Sequence, residues 1–248
     1  MVIAWPAPWA VAAAGLLIAV GLWLSSTAWL RVLGENDRVR RHRADYFSSQ
    51  LGKYLPGGIW QPIGQVGLAN ERGVSALRSS AAFVAQAGLQ VCAGAVLAVP
   101  LAFRPELPRI VRAAAALGVL APLMLLCVIR LLRRWPMFTP LRLAIGTPRH
   151  ALVTWVVLLV NLALQGAAFG LLASMSAPEL LHTVAGYAAA WTIGFLAVPV
   201  PAGLGVREAM LVALLPGGPA MLVMVSVMAR IMTMLTELVL IAVTRMRA

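Results

Sequence analysis

Acidic side chains are scarce in this chain. Its 248 residues carry 8 Asp and Glu against 20 Lys and Arg, and Lys53 is the one lysine. Charged residues make up 11% of the sequence, against about a quarter in average soluble domains, while 61% are hydrophobic. A soluble fold of this length needs more polar surface, so the solvent has to be lipid. Cysteine is almost missing as well. Cys92 and Cys127 lie in apolar runs, which excludes a disulfide framework and cysteine-based metal spacing. His42, His150 and His182 are scattered, and the two aspartates, Asp37 and Asp45, lack the pairing of a sugar-nucleotide metal site. With no Ser–His–acid set and no phosphate-cradling loop, no enzyme activity, metal or cofactor is expected.

The basic excess gives a net charge of +12. Its arginines cluster in short segments between apolar runs: Arg31, Arg38, Arg40, Arg41 and Arg43 in one, and Arg130, Arg133, Arg134, Arg142 and Arg149 in another. That is the pattern of cytoplasmic loops of a membrane protein, and no basic helix is left free for nucleic acid. Both loops are therefore expected in the cytoplasm, and the chain in the cytoplasmic (cell) membrane.

Uninterrupted apolar segments place spans near residues 9–30, 81–103, 110–132, 151–175 and 221–244, with a further helix over 180–198. The N-terminus reads as a retained first span, with Trp9 and Trp29 at its two interfaces. Gly166 and Gly170 permit close helix contact. Two stretches are apolar but broken. Residues 46–72 carry Gly52, Pro56, Gly57, Gly58, Pro62, Gly64 and Gly67, and residues 199–208 carry Pro199, Pro201, Gly203 and Gly205. Such breaks at membrane depth are tolerated in protein or around a wet cavity. The expected fold is an all-α, polytopic transmembrane helix bundle. It forms one integral membrane domain over residues 1–248, with about seven hydrophobic segments, two of them Pro/Gly-broken and re-entrant. If Arg245 and Arg247 are also cytoplasmic, the two breaks enter from opposite faces, unless 180–198 spans outright.

Broken helices aim freed amides and a partial positive charge at a cavity, which suits phosphate. Lys53 precedes the first break and Arg207 follows the second. Arg207 and Glu208 adjoin, so each needs its own partner. Arg230 and Glu237, seven residues apart on one face of the last span, are placed to pair with Glu208 and Arg207 respectively. The i,i+4 pairs Gln86/Gln90 and Asn161/Gln165 read as interhelical hydrogen-bonding glue. Met224, Met228 and Met232 form a stripe that reads as adaptable packing rather than a soft-metal path.

Residues 50–73, Gln-Leu-Gly-Lys-Tyr-Leu-Pro-Gly-Gly-Ile-Trp-Gln-Pro-Ile-Gly-Gln-Val-Gly-Leu-Ala-Asn-Glu-Arg-Gly, and 199–209, Pro-Val-Pro-Ala-Gly-Leu-Gly-Val-Arg-Glu-Ala, together carry a resemblance. The chain resembles the flippase-like membrane region of the lysylphosphatidylglycerol synthase family, as a stand-alone relative. Family members usually carry a further span before residues 9–30, and the synthases add a soluble aminoacyl-transferase domain that this sequence lacks. The resemblance implies binding and translocation of a phospholipid or lipid-linked intermediate. It assigns headgroup contact to Lys53, Pro56, Gly57, Gly58, Trp60 and Gln65 at the first motif. At the second it assigns Pro201, Gly203, Gly205, Arg207 and Glu208, and the spacing in the last span adds Arg230 and Glu237 to the expected headgroup site. The alternative is a non-transporting scaffold for a glycosyltransferase or other lipid-modifying enzyme.

Overall fold

The computed structural model describes residues 5–34, 39–55, 58–132, 134–197 and 203–246. Pro56, Gly57 and Pro201 lie outside them. The described residues are 86% helical and form eleven α-helices: α1 Pro8–Leu33, α2 Val39–Gln50, α3 Trp60–Glu71, α4 Ala76–Leu97, α5 Arg109–Leu117, α6 Ala121–Leu132, α7 Thr139–Ile145, α8 Pro148–Leu172, α9 Ala177–Leu196, α10 Val206–Leu214 and α11 Pro219–Met246.

Their ends follow local chemistry. Pro8 opens α1, where its missing N–H is no loss, and Gly34 closes it at φ 75°, its N–H donated to the Leu30 carbonyl. Thr147 caps α8 by accepting from the His150 N–H. Glu179 accepts from the N–H and hydroxyl of Ser176 at the start of α9. These bonds hold its carboxyl below the usual carboxylate range. Arg104 does the same for Glu106 in the α4–α5 turn.

Five segments are long and apolar enough to cross a membrane: Pro8–Leu33, Ala76–Phe103, Arg109–Leu131, Pro148–Leu172 and Pro219–Met246. The five continuous spans expected are thus present, and the two broken segments are the helix pairs α2/α3 and α9/α10. The helix expected over 180–198 is α9, 20 residues long but less apolar than these five. Residues 110–132 are not one continuous α-helix. Gly118 sits so close to α4 that a Cβ would fall 2.1 Å from the Ala95 carbonyl oxygen, and a tighter 3₁₀ turn over Gly118–Leu120 separates α5 from α6. This segment is the most peripheral of the five, with 11% of its most apolar window buried.

The core lies along α1 and α8, which pack on each other more extensively than any other pair. Ile18, Leu22, Leu158 and Leu162 are buried there, and Gly21 lets the helices approach at Asn161. Gly166 and Gly170 both serve close packing of α8 on α9, since a Cβ would lie 2.9 Å from Val184 Cα and 2.7 Å from Leu180 Cδ1. The expected aromatic belt is half right. Trp9 is 68% exposed, but Trp29 is buried beneath Tyr46.

Two helical hairpins complete the bundle. In the first, α2 and α3 run antiparallel, joined by Gln61 Nε2 donating to Gln50 Oε1 at 3.1 Å and, at the open end, by the Arg72–Asp45 ion pair. This hairpin enters and leaves at one end of the bundle, because Arg78 near the start of α4 lies against Gly34 at the end of α1. In the second, α9 and α10 run antiparallel: Gly194 faces Gly203 and Arg207, and Gly186 faces Leu214 and Leu215. It starts and finishes at the opposite end, between the last turn of α8 and the first turn of α11.

The basic clusters share one end. His150 at the start of α8 bonds the Arg31 carbonyl at 3.1 Å, and Arg31 Nε donates to Thr154 at 3.3 Å. Arg245 at the end of α11 donates to Ser48 at 3.1 Å. One expectation needs correcting here. Residues 39–43, expected in a basic loop, are the start of α2. Arg43 is 8% exposed, lies 4.1 Å over the Trp23 ring and donates to Ser26, Thr27 and the Trp23 carbonyl. A guanidinium that finds an aromatic face and three oxygens no longer needs water.

Candidate functional site

The tips of the two hairpins face one cavity of about 690 Å³. Lys53, Tyr54 and Gly58 line it from the first hairpin, Gly194, Gly203 and Arg207 from the second, and Arg230 from α11. Close backbone contact shapes each tip. At Gly52 a Cβ would lie 2.7 Å from the Trp60 carbonyl carbon, and at Gly203 it would lie 2.8–3.0 Å from backbone atoms of Gly194. Gly203, Gly205 and Gly58 also hold φ of 65°, 82° and 65°, a region costly for residues with a Cβ.

Each tip is tied to α11 by an ion pair, and the two pairs have opposite polarity. From the first hairpin, Lys53 Nζ meets Glu237 Oε1, and the Tyr54 hydroxyl donates to Glu237 Oε2 at 3.1 Å. Glu237 is fully buried. From the second hairpin, Glu208 receives Arg230 Nε at 2.9 Å and the Ser226 hydroxyl at 3.0 Å on one oxygen. Its other oxygen accepts the Gly205 N–H at 2.6 Å, which caps α10.

Arg207 is the cation left over. Glu237, which the sequence placed opposite it, is occupied by Lys53 and Tyr54 instead. The residue spacing could not show that the first hairpin reaches α11. Arg207 lies 4.5 Å over the Tyr187 ring, its Nε is buried without a hydrogen-bond partner, and no carboxylate pairs with it among the described residues. Three cations here face two carboxylates, which leaves Arg207 without a counter-ion among the described residues.

Of the other expected site residues, Gln65 is 3% exposed and lines the cavity, whereas Trp60 opens α3 outside it. Gly205 and Glu208 support the second tip from behind without lining the cavity. The glutamines read as glue are part of the lining. Gln86 does bond across helices, to the Ser25 carbonyl at 3.2 Å, and Gln165 bonds Asn161 at 2.8 Å, yet all three, with Gln90, border the cavity. Sequence reasoning missed Gln50, Gln61, Tyr187 and Gly194 as site residues. The available signal was strongly polar amides placed in otherwise apolar helices. No group of three or more His, Cys, Asp and Glu gathers to hold a metal among the described residues, and the methionine stripe packs against the core. Compared with known proteins, the chain matches no family model, no curated protein and no solved structure.

Proposed function

We propose that this protein binds the anionic headgroup of a membrane lipid in the cavity and moves it across the cytoplasmic membrane. Arg207 carries the reading: a half-buried guanidinium whose buried Nε has no hydrogen-bond partner and which no carboxylate pairs with among the described residues, lining the cavity between the two hairpin tips. Its forked donors match two oxygens of a phosphate. Each helix of the first hairpin has 12 residues, about 18 Å of rise against roughly 30 Å of hydrocarbon. That length supports reading the hairpin as re-entrant. In this reading the second hairpin, which starts and finishes at the opposite end of the bundle, enters from the other face. Hairpins entering a midplane site from both faces are the arrangement that alternating exposure requires. Releasing Lys53 from Glu237 would open one side, and releasing Glu208 from Arg230 the other. The acyl chains stay in lipid throughout, and no covalent step is involved.

The test is reconstitution of the purified chain in vesicles with headgroup-intact, acyl-labelled lipids, following the fraction that reaches the opposite leaflet. Movement above protein-free vesicles that is lost in Arg207→Ala supports the proposal. Equal movement with and without Arg207 overturns it. No movement at all, with Arg207-dependent capture of a partner enzyme instead, would favour the scaffold reading.

A further inference from the structure

The chain contains six glutamines, Gln50, Gln61, Gln65, Gln86, Gln90 and Gln165. They come from four helices, and all six line the one cavity. In a sequence this apolar, that convergence demands a purpose beyond joining helices. Glue alone leaves too much unmet: Gln50 Nε2, Gln65 Oε1 and Gln90 Nε2 are buried without a partner, and an orphaned buried polar atom costs about 1–3 kcal/mol. The opposite chemistry is withheld. No Asp or Glu lines the cavity among the described residues, and its ionised groups are Lys53, Arg207 and Arg230. Trp191 and Phe195, ring planes 6° apart and centroids 5.1 Å apart, add a stacked aromatic pair to the lining.

An amide offers a donor and an acceptor side by side, which matches the neighbouring hydroxyls of a sugar or polyol. An aromatic plane suits the C–H face of a ring. From these placements we infer that the cavity selects a neutral, polyhydroxylated headgroup joined to its lipid through phosphate, and rejects cationic headgroups. This rests on the headgroup-binding reading above. Arg207 takes the phosphate, the glutamines take the hydroxyls, and the cationic lining repels an aminoacylated headgroup such as that of lysylphosphatidylglycerol.

The experiment compares four lipids in vesicles containing the full chain: phosphatidylinositol and polyprenyl-phosphate glucose as polyol probes, phosphatidic acid as bare phosphate, and lysylphosphatidylglycerol as the cation. At least one polyol probe should move roughly ten-fold faster than phosphatidic acid, the worth of one or two net hydrogen bonds, with lysylphosphatidylglycerol slowest. In Gln65→Leu and Gln90→Leu the ratio of polyol to phosphatidic acid rates should fall towards one, a readout independent of how much protein folds. Phosphatidic acid moving as fast as both polyol probes, or lysylphosphatidylglycerol moving fastest, overturns the inference and leaves the transport reading standing. No lipid moving above protein-free vesicles overturns both.

Discussion

Two residues carry the sharpest tests at the atomic scale. Arg207→Ala removes the uncompensated guanidinium and should lower lipid movement by roughly 10–100-fold, the range of a hydrogen bond to a charged group. Arg207→Lys should recover part of it, because a point charge cannot reproduce the fork. Rates in vesicles at matched protein content measure both. Gly203→Ala tests the second tip separately. It adds a Cβ 2.8–3.0 Å from the Gly194 backbone at a φ of 65°, so unfolding in detergent should be about 1–3 kcal/mol easier. Gly73→Ala, at φ 88° with nothing within 4 Å, carries the conformational penalty without the clash and should cost less. Pro/Gly clustering announced the break at Gly203. The Gly194 contact was hidden, because a glycine inside a helix declares no partner.

The hairpins are where sequence and structure part most at the scale of elements. The five long spans were legible because an apolar run of that length has few alternatives in lipid. The start of α2 was not. Its arginines mimic a solvated loop, while the aromatic face that accepts Arg43 belongs to Trp23 on another helix. The attachment of the first hairpin to α11 was equally invisible, since Lys53 and Glu237 lie 184 positions apart. This attachment makes a prediction. Lys53→Met alone leaves Glu237 fully buried and short of its cation, which should destabilise by about 3–5 kcal/mol, whereas Lys53→Met with Glu237→Gln should restore much of the loss. Thermal unfolding of the four variants in one detergent decides it. Equal instability of the single and double variants would mean that the contact is packing rather than charge.

At the scale of the whole molecule, the common end of the basic clusters sets the orientation. His150 bonds the Arg31 carbonyl there and Arg245 reaches Ser48 of α2, and the positive-inside bias predicts that this end is cytoplasmic. In a background lacking Cys92 and Cys127, Met137→Cys, 73% exposed in the wild type, should be protected from an impermeant thiol reagent in intact cells. Glu106→Cys, in the exposed turn at the other end, should be labelled. The reverse pattern inverts the protein in the membrane. The bundle was readable from hydropathy, but the glutamine cavity was not, because its members are spread over 116 positions and only packing assembles them. The placement of the counter-ions has a consequence for biogenesis. Lys53 and Glu208 both find their partners on α11, the helix that leaves the ribosome after the other ten. Until it arrives, neither hairpin tip is neutralised, and lipid gives an unpaired charge no welcome. Both tips are therefore expected to stay near the water interface until α11 is made, and α11 then to draw them in together, so that the cavity forms late.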